Sequence, residues 1–188
     1  TNTTGSYNTA IGKSALILNT TASSNTAVGY ESLKANTTGP QNVAVGASAL
    51  TANTTGGYSV AVGFNALDAA TTGDYNTAVG REALGSVTTA DSNTGIGRNA
   101  GSAITTGSNN VAVGALTLDA NTTGQRNTAV GQQSFSTNTT GSYNTALGRS
   151  ALFSNTTADN NTSVGYEALY ANTTGDRNVA VGALALDA

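Results

Sequence analysis

The chain is predicted to fold as an all-β solenoid, a β-roll or β-helix of eleven coils, and three observations carry that prediction. One glycine recurs every 17 residues, at positions 12, 29, 46, 63, 80, 97, 114, 131, 148, 165 and 182. No insertion or deletion interrupts the series. Each interval repeats one short alternating pattern, typified by Asn76-Thr77-Ala78-Val79-Gly80. Helical repeat arrays need about 33 to 47 residues per unit, so this interval is too short for them. It suffices for one coil of short strands and turns, stacked about 4.8 Å from the next. Constant length follows, because an inserted residue would throw every neighbouring coil out of register. Residues 1–188 therefore read as a single repetitive unit whose coils contact mainly their neighbours. Its length at that spacing is about 50 Å.

Taken in order, each coil opens on a turn. Two threonines, as in Thr71-Thr72, occur in all eleven coils and precede a glycine that Ala22, Ala90 and Ala158 replace. Glycine admits positive φ, and threonine hydroxyls bond nearby backbone groups. Next comes an Asn four residues before the coil glycine, in every coil but the one that holds Ser59. A column of such amides is expected to form a hydrogen-bonded ladder along the axis. The strand follows. Thr77 and Val79 face one way, while Ala78 and Gly80 face the other, as strand geometry requires. The small-residue side admits close approach of another backbone, and with so thin a core it predicts partner chains, three around one axis. After the glycine, Ala83-Leu84 supplies a second apolar point. Gly80 to Leu84 suits either a strand or one helical turn, and periodicity does not choose between them. The handedness of the coil is likewise open.

A longer period overlies the short one. Tyr7, Tyr75 and Tyr143 recur at four-coil intervals, as do Val43, Val111 and Val179. Coils five to seven stand apart, with Ala70, Val87 and Ile104 in place of the turn Asn and with Gly95 and Gly101 close by. They predict a local bend or an apolar patch. Neither end carries the atypical sequence with which solenoids cap themselves, so the chain is expected to be part of a longer fibre.

Composition excludes several classes. Charged residues make up 9% of the chain and the net charge is −3, with no basic stripe to follow a phosphate backbone. Nucleic acid is therefore not an expected partner. No apolar run reaches the length of a membrane span, so no membrane insertion is expected. Histidine and cysteine are absent, which removes the commonest general base, the strongest nucleophile and any thiolate metal site. The ten carboxylates are spread along the repeat, and a convex shaft is expected to offer no cleft for an acid–base pair. No enzyme, cofactor or metal is expected, and the aspartate columns that include Asp68 and Asp119, or Asp74 and Asp159, read as solvated turns. The Asn-Thr-Thr triplets, as at Asn36, Asn121 and Asn172, match a glycosylation acceptor pattern as a by-product of the repeat.

Binding, if present, belongs to the variable columns. These hold Tyr7, Tyr30, Tyr58, Phe64, Tyr75, Tyr143, Tyr166 and Tyr170, with Arg81, Arg98, Arg126, Arg149 and Arg177. Aromatic and arginine side chains are the usual anchors of interfaces.

The Asn-Val-Ala-Val-Gly segments at 42–46 and 178–182, and the Asn-Thr-Ala-Val-Gly form at 76–80 with Ala83 and Leu84 after it, resemble the head repeat of trimeric autotransporter adhesins. The longer unit is similar to repeats of phage-type tail fibres and bacterial surface fibres. The resemblance covers the whole chain, although the coil here is longer than the common coil of those heads. It implies a homotrimer at a cell surface or on a virion, outside the cell, with a host glycan or protein as partner. The expected function is thus a structural and adhesive fibre segment. Two alternatives stand beside it: an ice-binding solenoid that displays its threonines, and an inert shaft.

Overall fold

The structure, a computed structural model, describes residues 2–187. It contains eleven three-residue strands, one per coil: β1 (Thr9–Ile11), β2 (Thr26–Val28), β3 (Val43–Val45), β4 (Val60–Val62), β5 (Thr77–Val79), β6 (Thr94–Ile96), β7 (Val111–Val113), β8 (Thr128–Val130), β9 (Thr145–Leu147), β10 (Thr162–Val164) and β11 (Val179–Val181). All join one sheet in chain order. Each pairs in parallel with the next, and equivalent residues of adjacent coils are partners, as in Thr77↔Thr94, Ala78↔Gly95 and Val79↔Ile96. The fold is a parallel β-solenoid, and the described residues contain no helix.

The segment after the coil glycine is a turn of left-handed residues, neither strand nor helix. Two residues of it have φ near +55° in every coil, such as Glu82 at +56° and Leu84 at +50°. A third left-handed corner precedes the strand, at Tyr75 with φ +60°. Bulky side chains rarely take this conformation, and here the coil imposes it on Leu, Glu, Tyr and Arg alike. One consequence is that the leucines turn inward. Leu33, Leu50, Leu67, Leu84, Leu118, Leu152 and Leu169 are buried, and Phe135 takes the same place in its coil.

These leucines cover the alanine side of the sheet. Ala27, Ala44, Ala61, Ala78, Ala112, Ala129 and Ala146 are fully buried against them within one chain. The small-residue face that predicted partner chains is therefore filled by the coil's own leucines, and each fully buried leucine contributes about 1.5–3 kcal/mol. The solvent-facing side of the strands carries Thr or Val, then Val, Ile or Leu. The coil glycine belongs to neither side. Gly80 has φ +134°, and a Cβ there would lie 2.5 Å from the carbonyl oxygen of Gly97 in the next coil. Glycine recurs at this point because backbone stacks directly on backbone.

Polar ladders hold the coils in register. The backbone N–H of Asn93 donates to Oδ1 of Asn76 at 2.9 Å, and Asn93 Nδ2 donates to the Gly107 carbonyl at 2.9 Å. The ladder passes unbroken through the exceptional coil, because Asn76 N–H donates to the Ser59 hydroxyl at 3.1 Å. A second, buried ladder runs through the turn asparagines. Asn138 Nδ2 donates to Asn121 Oδ1 at 2.7 Å and to the Gly141 carbonyl at 3.0 Å. The first threonine of each pair forms a third, its hydroxyl donating to the same threonine's carbonyl one coil on, as Thr54 does to Thr71 at 3.0 Å.

Coils five to seven depart from this plan inside the core. Ala70, Val87 and Ile104 are buried where asparagines would stand. Gly101 occupies a leucine position, and a Cβ there would lie 2.8 Å from Leu84 Cδ2 and 2.9 Å from Ile104 Cδ1. Ile104 thus fills volume that a leucine vacates. The expected apolar patch is a repacked interior.

Candidate binding surface

Two rows of side chains bracket the strands, and twelve of the thirteen residues singled out by sequence divide equally between them, Tyr170 standing apart. Tyr7, Tyr58, Tyr75, Arg126, Tyr143 and Arg177 stand at the left-handed corner five before the coil glycine. Tyr30, Phe64, Arg81, Arg98, Arg149 and Tyr166 stand directly after that glycine, and all twelve are exposed. The positive φ of the corner directs its side chains off the shaft, and the abrupt glycine turn does the same for the other row.

Contacts run along a row, from one coil to the next. Tyr58 and Tyr75 stack with ring centres 5.0 Å apart and planes 11° from parallel. The Arg126 guanidinium lies 5.4 Å from the Tyr143 ring centre and donates to its hydroxyl at 2.5 Å. In the other row Arg149 lies 5.6 Å from the Tyr166 ring centre. Arg81 is held by Glu82 at 2.7 Å. Tyr7, Phe64, Arg98 and Arg177 enter no ring contact among the described residues.

Four residues beside these rows were not singled out by sequence. Lys13 lies over Tyr30, its ammonium 5.9 Å from the ring centre. Glu31 pairs with Lys34 at 2.9 Å. The bond from Lys34 holds the Glu31 carboxyl below its ordinary range, and the bond to Glu31 raises the Tyr30 hydroxyl. Phe153 stacks on Tyr170 at 5.1 Å and 6° in a third row, five after the glycine. A search for aromatic residues exactly one coil apart in the aligned repeat would have found that last pair.

The shaft is not uniformly convex. A shallow depression of about 450 Å³ is lined by Asn65, Asp68, Glu82, Gly85, Ser86, Asn99, Ser102 and Ala103. It brings two carboxylates into one hollow, where a cleft was not expected. Burial pushes the Asp68 carboxyl up, and the charge of Glu82 adds to this. Hydrogen bonds from Arg81 and then Asn99 hold Glu82 below its ordinary range. The described residues contain no group of three His, Cys, Asp or Glu side chains able to hold a metal ion.

Two further surfaces matter. The sheet's outer face is an uncharged band of Thr and Val followed by Val, Ile or Leu, with Val45, Val79, Ile96, Val130 and Leu147 all exposed. The second threonine of each pair is exposed in all eleven coils, and its hydroxyl enters none of the ladders. By contrast, Asn36, Asn121, Asn138 and Asn155 of the Asn-Thr-Thr triplets are fully buried, which withholds them from a glycosylating enzyme in the folded chain. No helix is long and apolar enough to cross a membrane among the described residues. Comparison with protein-family models, curated proteins and solved structures finds no match to this chain.

Proposed function

We propose that this chain is a structural and adhesive segment of a homotrimeric fibre at a cell surface or on a virion. The observation that supports this reading most strongly is the bare outer face of the sheet. It forms an uncharged, largely aliphatic band about 50 Å long and 10 Å wide. Its area of about 500 Å² is of the same order as the ~800 Å² per partner of a standard interface. A second and a third copy, laid alongside, would cover it. Depletion of charge in the band, with aromatic and arginine rows at its margins, matches the composition of protein interfaces. The coils set length and stiffness, and the exposed rows supply contacts that three chains multiply through effective concentration. A host glycan or protein is the partner this arrangement fits. Light scattering after gel filtration tests the assembly: a mass of three chains is expected, and a folded single chain would overturn it.

One observation favours a second reading, ice binding. The exposed second threonines form a regular row of hydroxyls and methyls at the coil spacing. Thermal hysteresis in a solution of the folded chain decides it, and its absence removes the reading.

A further inference from the structure

We propose that Tyr30 and Phe64 form the walls of a slot, floored by Ala47, that takes the pyranose ring of a neutral sugar. The proposal rests on the adhesive reading and names its ligand class and site. The three residues are equivalent positions of consecutive coils, each directly after a coil glycine. Tyr30 is 49% exposed and Phe64 50%. Where two rings occupy adjacent coils elsewhere on the shaft, their centres are 5.0 and 5.1 Å apart and their planes nearly parallel. Rings in both of those rows thus stack with their faces along the axis, and we extend the same projection to Phe64. Tyr30 obeys this, since Lys13 of the preceding coil lies over one of its faces. The other face looks toward the third coil, where the methyl group of Ala47 is too short to cover it.

Phe64 stands two coils from Tyr30, about 10 Å along the axis. A ring inserted midway lies about 5 Å from each wall, within the 4.5–7 Å range of ring contacts. Nothing on the far side claims Phe64, because Arg81 is engaged by Glu82 through Nε at 3.1 Å and Nη2 at 2.7 Å. The slot is thus one coil wide, apolar on two sides and open to water on a third.

Charge selects among ligands that such a slot could hold. A quaternary ammonium suits two facing rings, but Lys13 and Lys34 outnumber Glu31 beside Tyr30, so a cation is repelled. Glu31 is already occupied by Lys34 at 2.9 Å. A pyranose has apolar C–H faces for the two rings and a hydroxyl rim, which Ser48 and Asn65, in the next position of their coils, are placed to meet. The half-site recurs at Tyr166, with Arg149 over one face and Ala183 following. It lies eight coils away, about 38 Å along the shaft.

The test uses the full chain on a printed array of neutral, sialylated and quaternary-ammonium-bearing glycans, with methyl β-glucoside and methyl β-galactoside titrated by saturation-transfer NMR. Binding of neutral hexosides is expected. Stacking on one aromatic side chain is worth roughly tenfold to a hundredfold in affinity, so Phe64→Ala should weaken binding by about that factor. Ala47→Tyr should abolish binding, because its ring completes a stack and closes the slot while leaving the coil intact. Gln125→Ala, on an exposed turn outside both rows, should leave binding unchanged. Binding that survives Ala47→Tyr, preference for the quaternary ammonium glycans, or no neutral hexoside bound at all each overturns the proposal. The adhesive reading is judged separately, by attachment of the same chain to host cells and matrix proteins. Attachment without hexoside binding would sink the slot alone.

Discussion

Asparagine does different work at its two ladder positions, and one atom exposes the difference. Four residues before each coil glycine, the ladder runs through every coil because a serine hydroxyl at position 59 substitutes for the missing amide. At the turn position it stops, because Ala70, Val87 and Ile104 have no donor to offer. Asn53 is the last amide before that gap, and its Oδ1 is buried with no partner, alone among the buried side-chain polar atoms described. A buried acceptor left unsatisfied costs about 1–3 kcal/mol. Ala70→Asn places an amide one coil on, where Asn53 itself stands one coil from Asn36 and donates at 2.8 Å. The substitution satisfies Asn53 but hands the unpartnered acceptor on to position 70, because buried Val87 offers no donor either. Stability, read as the midpoint in urea, should therefore change by less than about 1 kcal/mol. A larger fall in the midpoint would mean that Val87 has already taken the space.

At the scale of the coil, the conserved length conceals a conserved volume. The leucine position and the turn position adjoin in the core, and coils five to seven trade one against the other. Gly101 removes a leucine and Ile104 inserts a branched side chain beside the gap. Gly101→Leu alone should overpack, which typically costs about 1–3 kcal/mol. Ile104→Asn alone should leave a void and a poorly partnered amide. Together they restore the arrangement of the other coils, so the pair should be less harmful than the sum of its parts by about 0.5–3 kcal/mol. A double-mutant cycle by thermal unfolding reads that coupling, and additive losses would show that the two sites do not share volume. Here the limit of sequence reading is also visible. Coil number, the strand at Thr77–Val79, its two opposite faces and the asparagine ladder followed from period and alternation, whereas the Ala78 side was expected to meet partner chains and instead meets the chain's own leucines. The inward leucines did not, because a left-handed turn at Glu82 and Leu84 is imposed by coil closure against the local preference of both residues. The turn ladder is not legible for a related reason: Ala70, Val87 and Ile104 interrupt its column, and in sequence they suit a local bend or an apolar patch as well as a buried position. Of the candidate surface, the identity of the two rows was legible, while the pairing of Lys13 with Tyr30 depends on side chains one coil apart.

For the molecule as a whole, the decisive fact is which side of the sheet is left uncovered. A single chain closes its alanine side with its own leucines, so folding and the proposed assembly would rest on opposite faces and be separable. Val45 and Val113 lie on the outer face of their three-residue strands, Val45 exposed and Val113 half-buried. Val45→Lys with Val113→Lys introduces two charges per chain into the middle of the proposed contact. Desolvating an unpaired ammonium there costs several kcal/mol, and three chains would bring like charges together. The expected result is a mass of one chain by light scattering, with the far-ultraviolet spectrum of the parent. Retention of the three-chain mass would move the contact from the sheet to the tyrosine and arginine rows, and Tyr58→Ser with Tyr75→Ser would then be the pair that dissociates it. Loss of the spectrum along with the mass would mean that the coil cannot stand alone, and that its partners complete the fold as well as the fibre.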